Sequence, residues 1–182
     1  PAQLRRATYA ATVVATATVV FISLLAAYVI VRNRRQASLR LFNVLLLGIA
    51  IPLQGVIIPV YYLIVQIGLY DTLWAIILPA IAFAIPITVL ILVNFLRDVP
   101  NELFESMRLD GATVWRMLWR LVVPLSKPAI ITVAIYDALN VWNGFLFPLI
   151  LTQSSDKRVL PLSLWTFQGD FTTNIPAVLA AV

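Results

Sequence analysis

The chain has 182 residues, of which 62% are hydrophobic and 12% are charged, and its net charge is +5. A soluble domain usually carries about 25% charged residues, so this chain has too few polar residues to cover a water-exposed surface. The composition predicts an integral membrane protein. The sequence contains no cysteine and no histidine, which excludes disulfides, thiol nucleophiles, HExxH metal sites and histidine general bases. We therefore expect neither an enzyme nor a metal or cofactor site.

Long apolar runs follow one another along the chain, and a membrane-spanning helix needs about 20 mostly apolar residues. Helices are the expected solution, because barrel strands would be about ten residues long with alternating polarity. The predicted fold class is all-α, a polytopic transmembrane helical bundle forming one domain over residues 1–182. Both ends look cut, so we expect a fragment of a longer protein. The predicted spans are residues 9–31, 41–66, 73–96 and 128–151, with the start of a fifth at 175–182.

The connections between these runs differ in basic content. Most Lys and Arg residues lie in the segments 32–40 and 97–127. The positive-inside rule therefore predicts that both segments are cytoplasmic, and that residues 152–174 form an outer loop. Arg5 and Arg6 then fall on the outer side, which counts against this orientation. Because the basic residues lie between apolar runs, orientation explains them better than binding to nucleic acid does.

The segment 97–127 has the signals of two short helices. Asp98 is a suitable N-cap and Pro100 fits a first helical turn, so a helix is predicted over 101–109. Gly111 suits a turn with positive φ, and Thr113 can cap a second helix, which we predict over 114–123. The first helix is amphipathic. Two interpretations stay open for it: a helix lying in the membrane interface, or a docking element for a cytoplasmic partner.

The string ESMRLDGATVWRMLWRLVVPLSKP, residues 105–128, resembles the EAA motif of binding-protein-dependent ABC importer permeases. Ser106 and Met107 depart from the motif, in which both positions are usually Ala. The segments SLLAAYVIVR, IPLQGVIIPVYYLIVQIGLYDTLWAIILP and VWNGFLFPLIL are similar to the carbohydrate-uptake branch, of the maltose and glycerol-phosphate type. The positions that match the motif are Glu105, Asp110, Gly111, Ala112, Pro124 and Pro128.

The resemblance implies a type I ABC importer permease in a bacterial cell membrane. In that family the loop contains a coupling helix that docks on a cytoplasmic ATPase. The chain has no GxxxxGK[ST] phosphate loop of its own. The implied partners are two ATP-binding subunits, a second permease subunit, an extracytoplasmic solute-binding protein and the lipid bilayer. The implied coupling residues are Glu105, Ser106, Met107, Leu109, Asp110, Gly111 and Ala112.

Polar residues in the fourth span are candidates for the translocation path, because ionisable groups inside a membrane are often functional. Asp137, Asn140 and Gly144 are spaced to share one helical face, and Asn143 lies near it. The alternative is that these side chains only make hydrogen bonds to neighbouring helices.

The predicted function is import of a sugar or related solute, powered by a separate ATPase. Two alternatives stay open. One is an ABC permease for another solute, such as a peptide, polyamine or inorganic anion, since all these permeases share the EAA loop. The other is a channel that uses no ATPase.

Overall fold

Helices make up most of the chain over residues 2–33 and 35–154, the part that the computed structural model describes, with side chains from residue 6 onward. This part contains no strand, and the all-α prediction is confirmed. Two of the described helices are long and apolar enough to cross a membrane alone. The first is α1, Ala2–Arg32, in which the segment Arg6–Arg32 meets this condition. The second is the helix Leu73–Arg97.

The second predicted span, 41–66, is divided into two helices, α2 (Gln36–Ile49) and α3 (Leu53–Gln66). The break falls at Pro52, which has extended backbone and is the residue before α3. Proline has no N–H to continue α2, and its ring disfavours a helical conformation in the residue before it. Taken together, α2 and α3 are long and apolar enough to form one broken span or a re-entrant loop. The helix Leu73–Arg97 is α4.

The segment after α4 contains the two predicted helical stretches. The first is α5, Asn101–Leu109, with the predicted bounds. The second begins as predicted with α6, Val114–Met117, but widens into a π-helical turn, Leu118–Val122, before α7, Val123–Leu125. Pro124 explains the widening, because its ring would clash with the carbonyl four residues earlier in a regular helix.

The fourth predicted span, 128–151, is also divided, into α8 (Lys127–Asn143) and α9 (Leu146–Leu151). Pro148 accounts for the break, since in a continuous helix its ring would meet the carbonyl of residue 144 and its missing N–H would leave that carbonyl unpaired. As part of the first turn of α9, Pro148 is tolerated. Gly144 therefore lies just after α8 instead of on its face, which corrects the prediction that it continues the Asp137 face.

The described residues fall into two compact units. The first contains residues 2–16, 52–82 and 138–154, and the second contains residues 17–51, apart from 34, and 83–137. In the first unit, Ala11 and Ala15 of α1 pack with Ile77 of α4 in one apolar cluster. In the second unit, α1, α2, α4, α5 and α8 contribute to one larger apolar core.

Large apolar side chains also cover much of the helix surfaces. Val44, Leu47 and Ile58 are each more than three-fifths exposed. Such surfaces are typical of proteins that are covered by lipid or by other subunits.

Two predictions fall partly or wholly beyond the described residues. The outer loop is described only over residues 152–154, and the start of a further span at 175–182 lies outside the described part. The span limits and the single-domain organisation stay predictions.

Candidate functional site

The N-cap of α5 lies two residues later than predicted. Asp98 was expected to be the N-cap, but Pro100 has that position and no side chain caps the helix. The N–H groups of Asp98 and Val99 instead bond to carbonyls in the last turn of α4, at 3.2 and 3.4 Å. Asp98 therefore completes α4, and the prediction that it caps α5 is wrong.

Helix α5 ends in a complete Schellman motif. Gly111 has φ +72, and its N–H donates to the Arg108 carbonyl at 3.0 Å, while the Ala112 N–H donates to the Met107 carbonyl at 2.9 Å. Both bonds satisfy carbonyls that would otherwise lack partners at the helix end. The backbone thus turns sharply after Asp110, as the Asp-Gly pair predicted.

Thr113 caps the following helix, α6. Its hydroxyl oxygen accepts a hydrogen bond from the Arg116 N–H at 3.3 Å, and its backbone is extended, as an N-cap requires. The backbone from Gly111 to Thr113 is therefore held on one side by the Schellman bonds that end α5 and on the other by the cap that begins α6.

One face of α5 is packed into the core of the second unit. Phe104 is only 2% exposed, and Met107 and Ala112 pack against the same apolar core. Met107 is among the coupling residues that the resemblance implies, but the structure directs it toward the chain's own core. Ala112 is likewise half-buried.

The other face of α5 is open. Leu109 is 89% exposed, the highest exposure among the large apolar side chains described. Glu105, Ser106 and Asp110 are also exposed, and the Ser106 hydroxyl donates to its own helix, at the Leu103 carbonyl, 3.1 Å away. An exposed leucine among carboxylates beside a fixed turn has the chemistry of a docking surface for another protein.

Arg32 ties α5 to the end of α1. Its guanidinium donates to the Asn101 side-chain oxygen at 2.9 Å and lies over the Phe104 ring, 3.9 Å from the centroid. Sequence reasoning missed this contact, because the partners are 69 positions apart. The available signals were an arginine that ends an apolar run and an asparagine that begins the next amphipathic helix.

Asp137 of α8 is 1% exposed. The Thr88 hydroxyl of α4 lies 3.0 Å from each of its carboxylate oxygens. The sequence left two roles open for Asp137: a place on the translocation path, or a hydrogen bond to a neighbouring helix. The contact with Thr88 is a hydrogen bond of the second kind. The sequence analysis did not identify Thr88 as a partner of Asp137. The one available signal was a polar residue inside an apolar run.

The other polar candidates near the end of α8 have exposed positions. Asn140, Asn143 and Gly144 are all exposed. The Asn143 amide donates to the Leu139 carbonyl of its own helix at 2.8 Å. These three residues therefore differ from Asp137, whose carboxylate is enclosed.

Comparison with known proteins assigns the family. Residues 8–182 match the family model described as "Binding-protein-dependent transport system inner membrane component", so the chain belongs to that family. It is 40% identical over 162 residues to the ABC transporter permease protein ORF2 of Caldicellulosiruptor sp. strain Rt8B.4, covering 89% of this chain and 59% of that protein. It is 33% identical over 166 residues to the diacetylchitobiose uptake system permease protein NgcG of Streptomyces coelicolor, covering 90% and 55%.

A solved structure shares the fold. It is a chain from the crystal structure of a bacterial ABC transporter involved in the import of the acidic polysaccharide alginate, with a TM-score of 0.71 and 22% identity. The match covers 97% of this chain and 64% of that one. The chain thus spans between half and three-fifths of the Caldicellulosiruptor and Streptomyces relatives, and the resemblance to an ABC importer permease is confirmed.

Proposed function

We propose that the chain is part of the membrane-spanning permease subunit of an ABC importer, which forms a path for a sugar or related solute. A separate cytoplasmic ATPase powers the transport through the segment 97–127. The permease itself catalyses no reaction. Its partners are two ATP-binding subunits, a second permease subunit and an extracytoplasmic solute-binding protein.

The observation that carries this proposal is the division of α5 into two faces. Phe104 and Met107 hold one face in the core, whereas Leu109 is 89% exposed on a helix that ends in a fixed turn. A helix that transmits movement must be attached firmly to its own subunit and must also offer a surface to its partner. Glu105 and Asp110 supply charge on that surface, and Gly111 supplies the turn.

The proposed orientation has residues 32–40 and 97–127 in the cytoplasm of a bacterial cell, in an inner membrane that the subunit crosses several times. The family description names an inner membrane component, and the Arg-rich segments agree with the positive-inside rule. This orientation puts α5 on the side where ATP is available.

A carbohydrate is the favoured solute class. Relatives include the diacetylchitobiose permease protein of Streptomyces coelicolor and a multiple sugar-binding transport system permease protein of Streptococcus mutans. Uptake of labelled oligosaccharides, with unlabelled peptides, polyamines and anions as competitors, tests this choice. Uptake of a labelled peptide, polyamine or anion, without uptake of any oligosaccharide, would favour the alternative permease.

We propose that the translocation path includes the polar residues at the end of α8. Asn140, Asn143 and Gly144 are exposed, as residues that contact a passing solute must be. Asp137 is kept among the candidates, and its bond to Thr88 suggests that it supports the path by holding α8 against α4.

The sharpest test of the coupling proposal is Leu109→Asp in the full-length permease. Because Leu109 is 89% exposed, we expect the permease to fold and insert normally. Burying a leucine side chain contributes about 1.5–3 kcal/mol, so removing it from a docked surface should weaken ATPase binding about tenfold or more. Co-purification of the ATPase and uptake of labelled sugar should both fall.

Leu109→Met is the matched control, because methionine is apolar and adaptable at the same position. It should retain most ATPase binding and uptake. Full uptake by the Leu109→Asp variant would contradict the coupling proposal. Full uptake after replacement of both Glu105 and Gly111 would favour a channel that needs no ATPase.

A further inference from the structure

A cavity of about 380 Å³ lies in the second unit, at the ends of two membrane-length helices. Arg32 and Arg97 are the last residues of α1 and α4, respectively, and both line it. None of the described residues that line it is acidic. The remaining lining residues are Ile30, Val31, Leu39, Leu96, Val99 and Asn101.

Both arginines lie against aromatic rings. The Arg32 guanidinium lies 3.9 Å from the centroid of Phe104, and that of Arg97 lies 5.3 Å from the centroid of Phe42. A ring engages the face of a guanidinium, whereas hydrogen bonds form in its plane. Arg32 uses one of these in-plane groups to donate to Asn101. The cavity thus combines two oriented cations with a wall that is otherwise mostly aliphatic.

This combination matches a phosphate group that carries hydrocarbon. Guanidinium groups bind phosphate oxygens through paired N–H donors, and basic pockets between membrane helices bind anionic lipid headgroups. The aliphatic side chains suit the start of an acyl chain, and Leu39 is exposed at this site. A free phosphate would use the arginines but would gain nothing from the apolar wall.

We propose that Arg32 and Arg97 bind a phosphate-bearing anion, with an anionic phospholipid headgroup favoured over free phosphate. Because Arg32 also bonds to Asn101 of α5, the bound headgroup would lie beside the helix proposed to meet the ATPase. The inference goes beyond the proposed function, since lipid binding is measured without ATPase, ATP or solute.

The experiment uses the full-length permease in nanodiscs of phosphatidylcholine with increasing phosphatidylglycerol. After detergent extraction, native mass spectrometry counts the phosphatidylglycerol that stays bound. Each basic residue near an anionic lipid surface contributes about 1 kcal/mol, so Arg97→Gln should lower retention roughly fivefold. Arg40→Gln is the matched control, because it removes the same charge from an exposed position of α2 next to Leu39 and does not line the cavity.

A second variant keeps the test valid if Arg97→Gln does not fold. Leu39→Glu introduces a carboxylate at an exposed lining position without removing either arginine, and it should also lower lipid retention. In a separate arm, inorganic phosphate is added in pure phosphatidylcholine nanodiscs. In one outcome, phosphate stabilises the wild type but not Arg97→Gln, while no phosphatidylglycerol is retained. That result would support the anion site and identify free phosphate as its ligand.

Two results would overturn the proposal. One is equal retention of phosphatidylglycerol by wild type, Arg97→Gln and Leu39→Glu, with no phosphate effect that depends on Arg97. The other is an equal loss in Arg97→Gln and Arg40→Gln, which would mean that only general surface charge attracts the lipid. Neither readout depends on ATPase binding or uptake, so failure here is distinct from failure of the proposed coupling.

Discussion

Two helices of the chain end in the same backbone turn, α3 at Gly68 and α5 at Gly111. The two glycines have φ of +73 and +72. In each turn the glycine N–H donates across 3.0 Å to a carbonyl in the last helical turn, and the next N–H donates to the carbonyl five residues before it. The two turns thus share both hydrogen bonds of the Schellman motif.

The two turns differ in the contacts of the residues just after them. Three residues after Gly68, Asp71 binds a distant part of the chain: its N–H donates to the Leu151 carbonyl at 3.0 Å, and its carboxylate accepts from the N–H groups of Gln153 and Ser154 at 2.9 and 3.0 Å. The Ser154 hydroxyl also donates to this carboxylate. After Gly111 the distant contacts are weaker: Ala112 packs against the apolar core, and the Tyr28 hydroxyl donates to the Val114 carbonyl at the long distance of 3.5 Å. The Thr113 side chain caps its own next helix.

This difference suggests that a turn's conformation says little about its role. The Gly68 turn joins two segments of one unit, whereas the Gly111 turn lies next to a leucine that is 89% exposed. A turn bonded to its own subunit stabilises the fold, while a turn with an open apolar neighbour is suited to contact another protein. Substitutions in and beside each turn test that distinction.

Asp71→Ala should have the largest effect on stability. It removes the carboxylate that accepts the Gln153 and Ser154 N–H groups, and hydrogen bonds to charged groups contribute about 1.5–3 kcal/mol each. Asp71 also has φ +58, where alanine is less well tolerated than aspartate. Because two such bonds are lost, we expect the free energy of unfolding to fall by about 3 kcal/mol or more, measured by thermal unfolding of the purified permease.

Asp71→Asn separates the two contributions. Asparagine tolerates positive φ and keeps one acceptor oxygen, so it should lose less stability than alanine. Equal stability of wild type and both variants would mean that the contacts of Asp71 do not hold residues 151–154.

Gly68→Ala and Gly111→Ala should cost the same stability, about 1–2 kcal/mol each. Apart from the two chain neighbours of each glycine, no heavy atom of the described residues lies within 4 Å of a Cβ at either position, so the cost comes from the positive φ. Uptake should respond differently. Gly111→Ala should reduce ATPase association and uptake because it disturbs the presentation of Leu109, whereas Gly68→Ala should change uptake only as far as it lowers the amount of folded permease.

Uptake must therefore be divided by the amount of folded permease when Gly68→Ala is compared with Gly111→Ala. An equal loss in both variants would show that the two turns have the same role. It would remove the contrast between a stabilising turn and a docking turn.

Local signals in the sequence were sufficient to predict the Gly111 turn. The bounds of α5, the positive φ of Gly111 and the cap at Thr113 all follow from residue types within a few positions of one another. The prediction that Asp98 caps α5 was wrong because the connection between α4 and α5 is short. Residue types alone do not show whether a residue there bonds to the end of α4 or to the start of α5.

Contacts between distant segments were not predictable in the same way. Arg32 with Asn101, Thr88 with Asp137, and Asp71 with Ser154 are separated by 69, 49 and 83 positions. No periodicity connects such pairs, because it reports only which face of a helix is buried. The sequence therefore indicated that α5 is amphipathic, but not that Met107 faces inward while Leu109 remains exposed.

Thr113→Ala should have the smallest effect, and it tests whether α6 depends on its own cap. The Thr113 oxygen accepts from the Arg116 N–H at 3.3 Å, and loss of an N-cap typically costs about 1 kcal/mol, with about 0.5 kcal/mol at the low end. Because the Thr113 bond is long, we expect a loss of stability of about 0.5 kcal/mol. Hydrogen exchange at the Arg116 amide should accelerate a few-fold, whereas Thr113→Ser should preserve protection. If Thr113→Ala instead abolished uptake without changing exchange, the Thr113 side chain would itself meet a partner, and the docking surface would extend past Gly111 onto α6.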